Sequence, residues 1–529
     1  MIRYESQNQL SIEEFRTPFE LKLSRENRWV KLATALPWDA LVNIYSRALS
    51  KKHGRPVVDP RIVIGALIIK HKEGLSDERT IEAIQENVYQ QYFLGVRQYQ
   101  YDPVFDPSLF VTIRKRIGIE AFDAMVLELM RVASDPSTLS SSGKMDEPEE
   151  QIPPPPSSSS QEQNDSSQTT ASSRDALSAT SPTELQANAG MLIVDMTVTP
   201  ADIAYPTDME LLNTAREKTE QLIDVLYDAS QPEGETKGTS RIKPRTYRQR
   251  ARRDYLVFAK KRKKTHKFIR KSLRKQLGYV GRNITTIHNL LDVTEQGLSK
   301  SQMRMFWIIQ ELYRQQKEMY DTKTHRISDR IVSVNQPHVR PIVRGKASAL
   351  TEFGAQVSVG LMNGYRRIQR IAWDPYNESS DFKEQVEQYK ATYGYYPEVA
   401  LADKKYGTKE NRAFMKQHGI RYGGTPLDRP RKDGSRNPLL PKQIVNRRNH
   451  IEGTFGTGKR SYGLNRIKAR RSDTSISWIA AIFFVMNLPL FLKTLASSFL
   501  SFFVSVLTRL FGRSIHLNPG LQISISRAS

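Results

Sequence analysis

Gly190–Pro200 reads GMLIVDMTVTP, a short β-branched run that predicts a buried strand with one carboxylate, Asp195, inside it. Burying a carboxylate there is expensive unless it is paired or binds a metal. Strand patterning resumes far downstream. EFGAQVSVGLMNG and YRRIQRIAWDP predict a hairpin turning on Asn363-Gly364. DFKEQVEQYKATYG reads as a helix, PEVALADKKYG as a strand ending near Asp403, and HGIRYGG as a further short strand. Between the first strand and these, Met209 to about Ser328 reads as mostly helical and very basic. Strands mixed with helices predict an α/β domain over residues 190–510, with a helical insertion at about 209–328.

Upstream of this domain the composition of residues 134–189 collapses into Ser, Pro, Gln, Thr and Asn, including PPPPSSSS at Pro153–Ser160. Such a stretch lacks the apolar residues to offset its ordering entropy and reads as a disordered linker. Residues 1–133 read as an all-helical, DNA-binding-like domain. Within it RIVIGALIIKHKEGLSDERTIEAIQENVYQQYFLG has helical spacing, with Gly74 and Ser76 ending one helix and opening the next. A helix–turn–helix reader and a plain bundle both fit that pattern, and the bundle is the more economical. Downstream, WIAAIFFVMNLPLFL is interrupted by Asn487 and Pro489, and LASSFLSFFVSVL stops at Arg509. Each run falls short of the roughly 20 apolar residues of a spanning helix, so a pair of buried helices is expected, followed by a tail over 511–529. The N-terminus lacks the pattern of a signal peptide, and no internal repeat is seen.

The length of 529 residues suggests about three units. With no cysteine, disulfides, thiolate zinc sites and cysteine nucleophiles are excluded. The formal net charge of +24 draws the chain towards polyanions. Its densest run, Arg241–Lys275, holds seventeen Lys or Arg and one acid, Asp254. Lys260, Lys261, Arg262, Lys263 and Lys264 at its centre are candidate DNA contacts, with strongly salt-dependent binding expected. The aromatics Tyr247, Tyr255, Phe258 and Phe268 among these cations fit either base stacking or helix packing. The nine histidines show no ligand spacing, although His338 and His450 lie nearest the acidic motifs.

Two further acids stand out beside Asp195. Asp403 ends an apolar run and is followed by Lys404, Lys405 and Gly407, and Glu452 is surrounded by Arg447, Arg448, Lys459 and Arg460. Hard oxygen ligands of this kind suit Mg²⁺. Each acid also has an ordinary reading: a capped strand end, a turn residue and a salt-bridge partner. The nearby GTFGTGK, Gly453–Lys459, approaches a phosphate-binding loop, but Arg460 stands where that loop needs Ser or Thr, and no apolar strand precedes it.

Arg448, Glu452 and Lys459 have the spacing R-x-x-x-E-x(6)-K. This resembles the Y-x-x-R-x-x-x-E-x(6)-K signature of DDE transposases encoded by bacterial insertion sequences. RNHIEGTFGTGKRSYGLNRIKAR is similar to that family's third motif, LIVDMTVTPADIAYPTDMELLN to its first acidic motif, and VALADKKYGTKENR to its second. QPHVRPIVRGKASALTEFGAQV is similar to the intervening strand region, and the N-terminal helices resemble the domain preceding the core in many such enzymes. One departure is visible: Val445 stands at the signature tyrosine.

The resemblance implies an RNase H-like mixed sheet flanked by helices, with Asp195, Asp403 and Glu452 as the catalytic, metal-binding triad. It implies two Mg²⁺ ions, with Mn²⁺ able to substitute. Asp195 and Asp403 would hold one ion, Asp195 and Glu452 the other, while Arg448, Lys459 and Arg460 contact DNA. On a helix Arg448, Glu452 and Lys459 share one side, although Gly453, Gly456 and Gly458 are poor helix formers; a helix opening near Val445 and loosening after Glu452 is expected. The function implied is cleavage and strand transfer of an insertion sequence. The partners would be double-stranded DNA, as element ends and target, and a second copy in a homodimer. A cytoplasmic location without membrane contact is expected. The alternatives are a catalytically silent, transposase-derived DNA-binding protein and a membrane-associated basic protein.

Overall fold

The computed structural model describes residues 22–47, 49, 58–135, 187–230, 243–294, 297–346, 349–424, 441–511, 515–517 and 523–525. The linker expected at 134–189 therefore lies almost wholly outside the described residues, as does most of the tail expected at 511–529.

Seven helices open the described chain: α1 Arg28–Ala35, α2 Trp38–Ser46, α3 Pro60–Glu73, α4 Asp77–Glu86, α5 Val88–Leu94, α6 Leu109–Arg116 and α7 Ile119–Ser134. Gly74, in the left-handed region at φ 69°, ends α3, and the Ser76 hydroxyl accepts from Arg79 N to open α4. The α3 helix is buried from Pro60 to His71 apart from Ile62. The exposed face of α4 carries Glu78, Arg79, Glu82 and Glu86, more acid than base. Neither helix exposes a basic face.

The strand expected at Gly190–Pro200 is β1, Met191–Pro200. The insertion after it forms α8 Asp208–Ala229, α9 Arg248–Lys260, α10 His266–Leu291 and α11 Lys300–Thr322, which build their own apolar cores. The sheet then resumes with β2 Arg340–Lys346, β3 Ala349–Met362 and β4 Tyr365–Ala372. Asn363 and Gly364 both have positive φ, 51° and 89°, as a two-residue turn between β3 and β4 requires. Next come α12 Phe382–Tyr393, β5 Val399–Ala402, α13 Lys409–Gln417 and β6 Arg421–Tyr422. The chain closes with α14 Lys442–Asn446, α15 Asn449–Ser461, α16 Ser472–Phe511 and a small antiparallel pair, β7 Ile515–Leu517 and β8 Ile523–Ile525.

The sheet order is β2-β3-β1-β5-β6, with β4 also paired to β3. It is mixed: β1 runs antiparallel to β3 and parallel to β5. The period of two along β1 divides its side chains between two cores. Leu192 and Val194 join Phe382, Val386 and Tyr389 of α12. Ile193 joins Ile451 and Phe455 of α15 and Trp478, Ile479 and Phe483 of α16. Helices therefore cover both faces of the sheet, the α/β arrangement expected.

The C-terminal apolar segment is one continuous helix, α16, rather than the expected pair. Pro489 lies within it, and buried Asn487 finds partners outside it. Asn487 Oδ1 accepts from Arg366 N and its Nδ2 donates to Arg366 O, both at 2.9 Å. The two polar interruptions thus sit in a packed helix. Among the described residues, α16 is the helix long and apolar enough to cross a membrane, yet 78% of its most apolar window is buried inside the protein. The same helix seats Trp478 between the cations Lys70 and Arg114, 4.6 and 5.1 Å from its ring, joining the N-terminal helices to the sheet. Arg367 of β4 makes a second link, donating from both Nε and Nη2 to the Asp123 carboxylate of α7 at 2.9 and 2.7 Å.

Candidate active site

Strand register brings the first two acids together. The parallel ladder of β1 and β5 ends at Val194 opposite Ala402, so Asp195 and Asp403 are the next residues on neighbouring strands. Each anchors one carboxylate oxygen on the backbone ahead of it. Asp195 Oδ1 accepts from Met196 N at 2.8 Å, and Asp403 Oδ1 from Lys404 N at 2.7 Å as it caps the 3-10 turn Lys404–Tyr406. These contacts orient both side chains beside the β1–β5 ladder.

Asp195 is half-buried, and burial is the main reason its carboxyl is pushed up to about 6. Glu378 and Asp403 raise it further as like charges, whereas the Met196 N–H and Arg448 act the other way. Desolvation and neighbouring acids both disfavour a second negative charge.

Glu452 reaches the pair through an arginine. Arg448 caps α15, and its Nη1 donates to Asp403 Oδ1 at 2.8 Å while Nη2 donates to Glu452 Oε1 at 3.1 Å. Arg448 and Glu452 are the i,i+4 pair that the spacing implies. Among the described residues no three His, Asp or Glu side chains are grouped closely enough to hold a metal ion as they stand. The triad therefore presents two adjacent aspartates and a glutamate tethered to one of them through a guanidinium. In chemistry the donor set fits a hard divalent cation, because it consists of carboxylate oxygens, one of them raised in pKa by burial and by like-charged neighbours.

The helix carrying Glu452 differs from the expectation. It starts at Asn449, after a break from α14, and continues unbroken through Gly453, Gly456 and Gly458 to Ser461. Burial of Ile451, Thr454 and Phe455 overrides the weak propensity. Gly458 has a packing reason, since a Cβ there would lie 3.1 Å from Leu464 Cδ2 and 3.2 Å from Met486 Sδ. Because GTFGTGK is helical throughout, a phosphate-binding loop is excluded. Lys459 is half-buried and Arg460 exposed on the last turn. A groove of about 700 Å³ runs beside this helix, lined by Arg447, His450, Gly453, Thr454 and Thr457 with the β3–β4 turn. His338 instead packs edge-on against Trp373 at 4.3 Å, and burial pushes its pKa down to about 4.

Lys260, Lys261, Arg262, Lys263 and Lys264 are all exposed, forming the turn between α9 and α10. Phe258 and Phe268 stack beneath them, centroids 5.9 Å apart and planes at 11°. Lys261 lies 4.2 Å over the Phe268 ring and Lys264 5.0 Å over Phe258. The aromatics of this turn therefore staple it, while none of the five cations makes an ion pair among the described residues.

Sequence reasoning missed Glu378 and Tyr406. Both are buried, and both act electrostatically with Asp195. Glu378 follows the N-capping Asn377 ahead of α12 and reads as an ordinary helix-start acid; only the tertiary fold shows where it sits.

A family model described as a transposase domain matches residues 18–116, spanning α1 to α6. A second, described as a transposase DDE domain, matches residues 400–489, which include Asp403 and Glu452. An uncharacterised protein of Rhizobium meliloti, ORF8 in the nfe locus, is 28% identical over 124 residues. That match covers 23% of this chain and 59% of the relative, so it spans less than two thirds of that protein's length. No solved structure matches the chain. Two transposase models thus match in order along one chain, so the chain carries a segment similar to a transposase domain followed by one similar to a transposase DDE domain, the latter including Asp403 and Glu452.

Proposed function

We propose that the chain cuts and rejoins double-stranded DNA at the ends of an insertion sequence, using an RNase H-like core and two Mg²⁺ ions. The observation that carries this reading is the placement of Asp195 on β1 beside Asp403, the residue just after the adjacent parallel strand β5, with Glu452 joined to Asp403 through Arg448. Asp195 and Asp403 would hold one ion, Asp195 and Glu452 the other. When bound, such a pair lowers the pKa of an attacking water or 3′-hydroxyl and stabilises the leaving oxygen.

The chain's own residues supply position and charge. Asp195 within β1 and Asp403 just after β5 are oriented by backbone hydrogen bonds, so little ordering is left for the moment of reaction. Arg448 at the start of α15 and Lys459 and Arg460 in its last turn would hold phosphates, Arg448 giving up its carboxylates to do so. The exposed turn from Lys260 to Lys264 would neutralise duplex backbone away from the reacting phosphate, adding affinity without sequence preference. Joining two element ends calls for two active sites, so a homodimer on DNA is part of the proposal. A cytoplasmic chain with α16 as a core helix completes it.

The test is nicking of a supercoiled plasmid carrying the element ends, with Mg²⁺ or Mn²⁺. Glu452→Gln should abolish nicking while leaving gel-shift affinity intact. Retained nicking would remove Glu452 from the metal ligands. Metal-independent binding without nicking by the unaltered chain would leave a silent, transposase-derived DNA-binding protein as the better account.

A further inference from the structure

α9 is held to the body of the insertion by one side. Its one buried residue is Ala251, whose carbonyl accepts from Gln276 Nε2 of α10 at 3.2 Å. Asp254, the one acid of the run Arg241–Lys275, is taken up on the same side. Lys275 Nζ and Tyr279 Oη of α10 both donate to its carboxylate, at 2.9 Å. Half-buried Tyr255 and Phe258 complete this inward side. Arg248, at the start of the helix, is also spent, donating to the Asp224 carboxylate of α8 at 2.7 Å.

The opposite side is built differently. Gln249, Arg252, Arg253, Leu256, Val257 and Lys260 recur at helical spacing, and all six are exposed. Among the described residues no carboxylate pairs with Arg252, Arg253 or Lys260. Leu256 is 41% exposed and Val257 56%. A lone exposed aliphatic residue is ordinary, but these two are adjacent and framed by unneutralised cations. A surface made for phosphate alone needs only cations, which is what the turn from Lys260 to Lys264 presents. Leu256 and Val257 gain nothing from a phosphate.

Base edges in the major groove use every one of these groups. Arginine pairs bidentately with guanine O6 and N7, glutamine with adenine N6 and N7, and aliphatic carbon packs on the thymine methyl. The groove, about 12 Å wide, admits one α-helix. The 13 residues of α9 make a rod about 20 Å long.

We infer that the outward side of α9 enters the major groove of duplex DNA and reads its sequence, while the turn from Lys260 to Lys264 fixes the flanking backbone. The inference rests on the DNA-binding reading above and adds base recognition to it. Readout is thereby placed in the insertion rather than on α3 or α4, neither of which exposes a basic face.

The test is selection from random-sequence duplexes by the full chain without metal, followed by sequencing of the retained DNA and by binding titration. The unaltered chain should enrich a motif. Arg252→Ala, Arg253→Ala and Gln249→Ala should relax positions of that motif. Each arginine change should weaken binding to the selected duplex about 10–100-fold, and binding to the unselected pool only a few-fold. The positions are exposed, so unaltered thermal unfolding serves as the folding check. The proposal falls if the variants recover the parent's motif, if they lose affinity equally on selected and unselected DNA, or if the parent enriches no motif. A chain that retains no duplex even at low salt would remove the DNA-binding reading itself. The rival occupant of this side is a second copy of the chain. Leu256→Ser with Val257→Ser should alter the motif and leave the sedimentation mass of the DNA-free chain unchanged. A changed mass with the motif intact would make this side a contact between copies and overturn the proposal.

Discussion

Asp403 and Glu452 share a single guanidinium: Arg448 Nη1 lies 2.8 Å from Asp403 Oδ1, and Nη2 lies 3.1 Å from Glu452 Oε1. The bridge spans two elements that chain connectivity leaves independent, the end of β5 and the start of α15. It keeps the third acid of the motif within reach of the two aspartates while offsetting their mutual repulsion.

Because the carboxylates on both sides are about half exposed, the bridge itself contributes little to stability. Arg448→Met should cost no more than about 1 kcal/mol in urea unfolding. It should nevertheless lower DNA nicking roughly 100-fold, the scale of removing one aligned donor from a reacting oxyanion. Arg448→Lys keeps the charge but not the fork and should recover only part of the loss. A variant that unfolds readily yet nicks normally would make Arg448 a structural residue alone.

Asp195 should make the cation-free chain less stable as pH rises. Its folded pKa, about 6, lies above the ordinary carboxylate value, so its favourable contribution is complete below about pH 4 and is lost as pH climbs through about 6. Asp195→Asn removes that dependence. In EDTA the variant should be more stable than the parent by about 1–3 kcal/mol at pH ~8, and nearly equal to it at pH ~4. Calorimetric unfolding across this range checks the sign. A parent chain whose stability rises over the same interval relative to Asp195→Asn would contradict the buried, repelled carboxylate.

Two glycines of α15 should respond oppositely to substitution. A Cβ at Gly453 would meet nothing within 4 Å, so Gly453→Ala should gain up to about 1 kcal/mol from helix propensity. At Gly458 the Leu464 and Met486 contacts oppose any added carbon, and Gly458→Val should cost about 1–3 kcal/mol. Gly453 also faces the groove beside Arg447 and His450. If a DNA strand occupies that groove, Gly453→Ala will be the more stable protein and the weaker binder. Equal DNA affinity would place the strand elsewhere.

This contrast marks what the sequence could and could not reveal. β1, the Asn363-Gly364 hairpin and α12 were legible because their signals are local: β-branched runs, a turn with two positive φ angles, a helical period. Asp403 at a strand end was legible for the same reason. The continuity of α15 was not, since only the approach of Leu464 and Met486 explains Gly458, and only burial of Ile451 and Phe455 holds the helix. Glu378 was hidden because a helix-start acid looks alike whether it faces water or is buried and paired with Lys405. The unity of α16 was obscured by Asn487 and Pro489, whose cost is met by Arg366 on another element and by burial of the surrounding helix.

The turn from Lys260 to Lys264 gives the sharpest test of how the insertion meets DNA. Its five cations project from a support made rigid by the stacked Phe258 and Phe268, and none is neutralised by a carboxylate among the described residues. Every phosphate they contact releases condensed counterions, so each contributes about 0.9 to the slope of log affinity against log salt. Replacing all five by alanine should flatten that slope by about 3–4, because not every cation in a turn can reach a phosphate at once. Affinity should fall uniformly across DNA sequences, and any preference for the element ends should survive. Phe258→Ala should act more mildly, loosening the turn while keeping its charge. An unchanged slope in the five-alanine variant would take the insertion off the DNA surface and leave the groove beside α15 to supply the contacts.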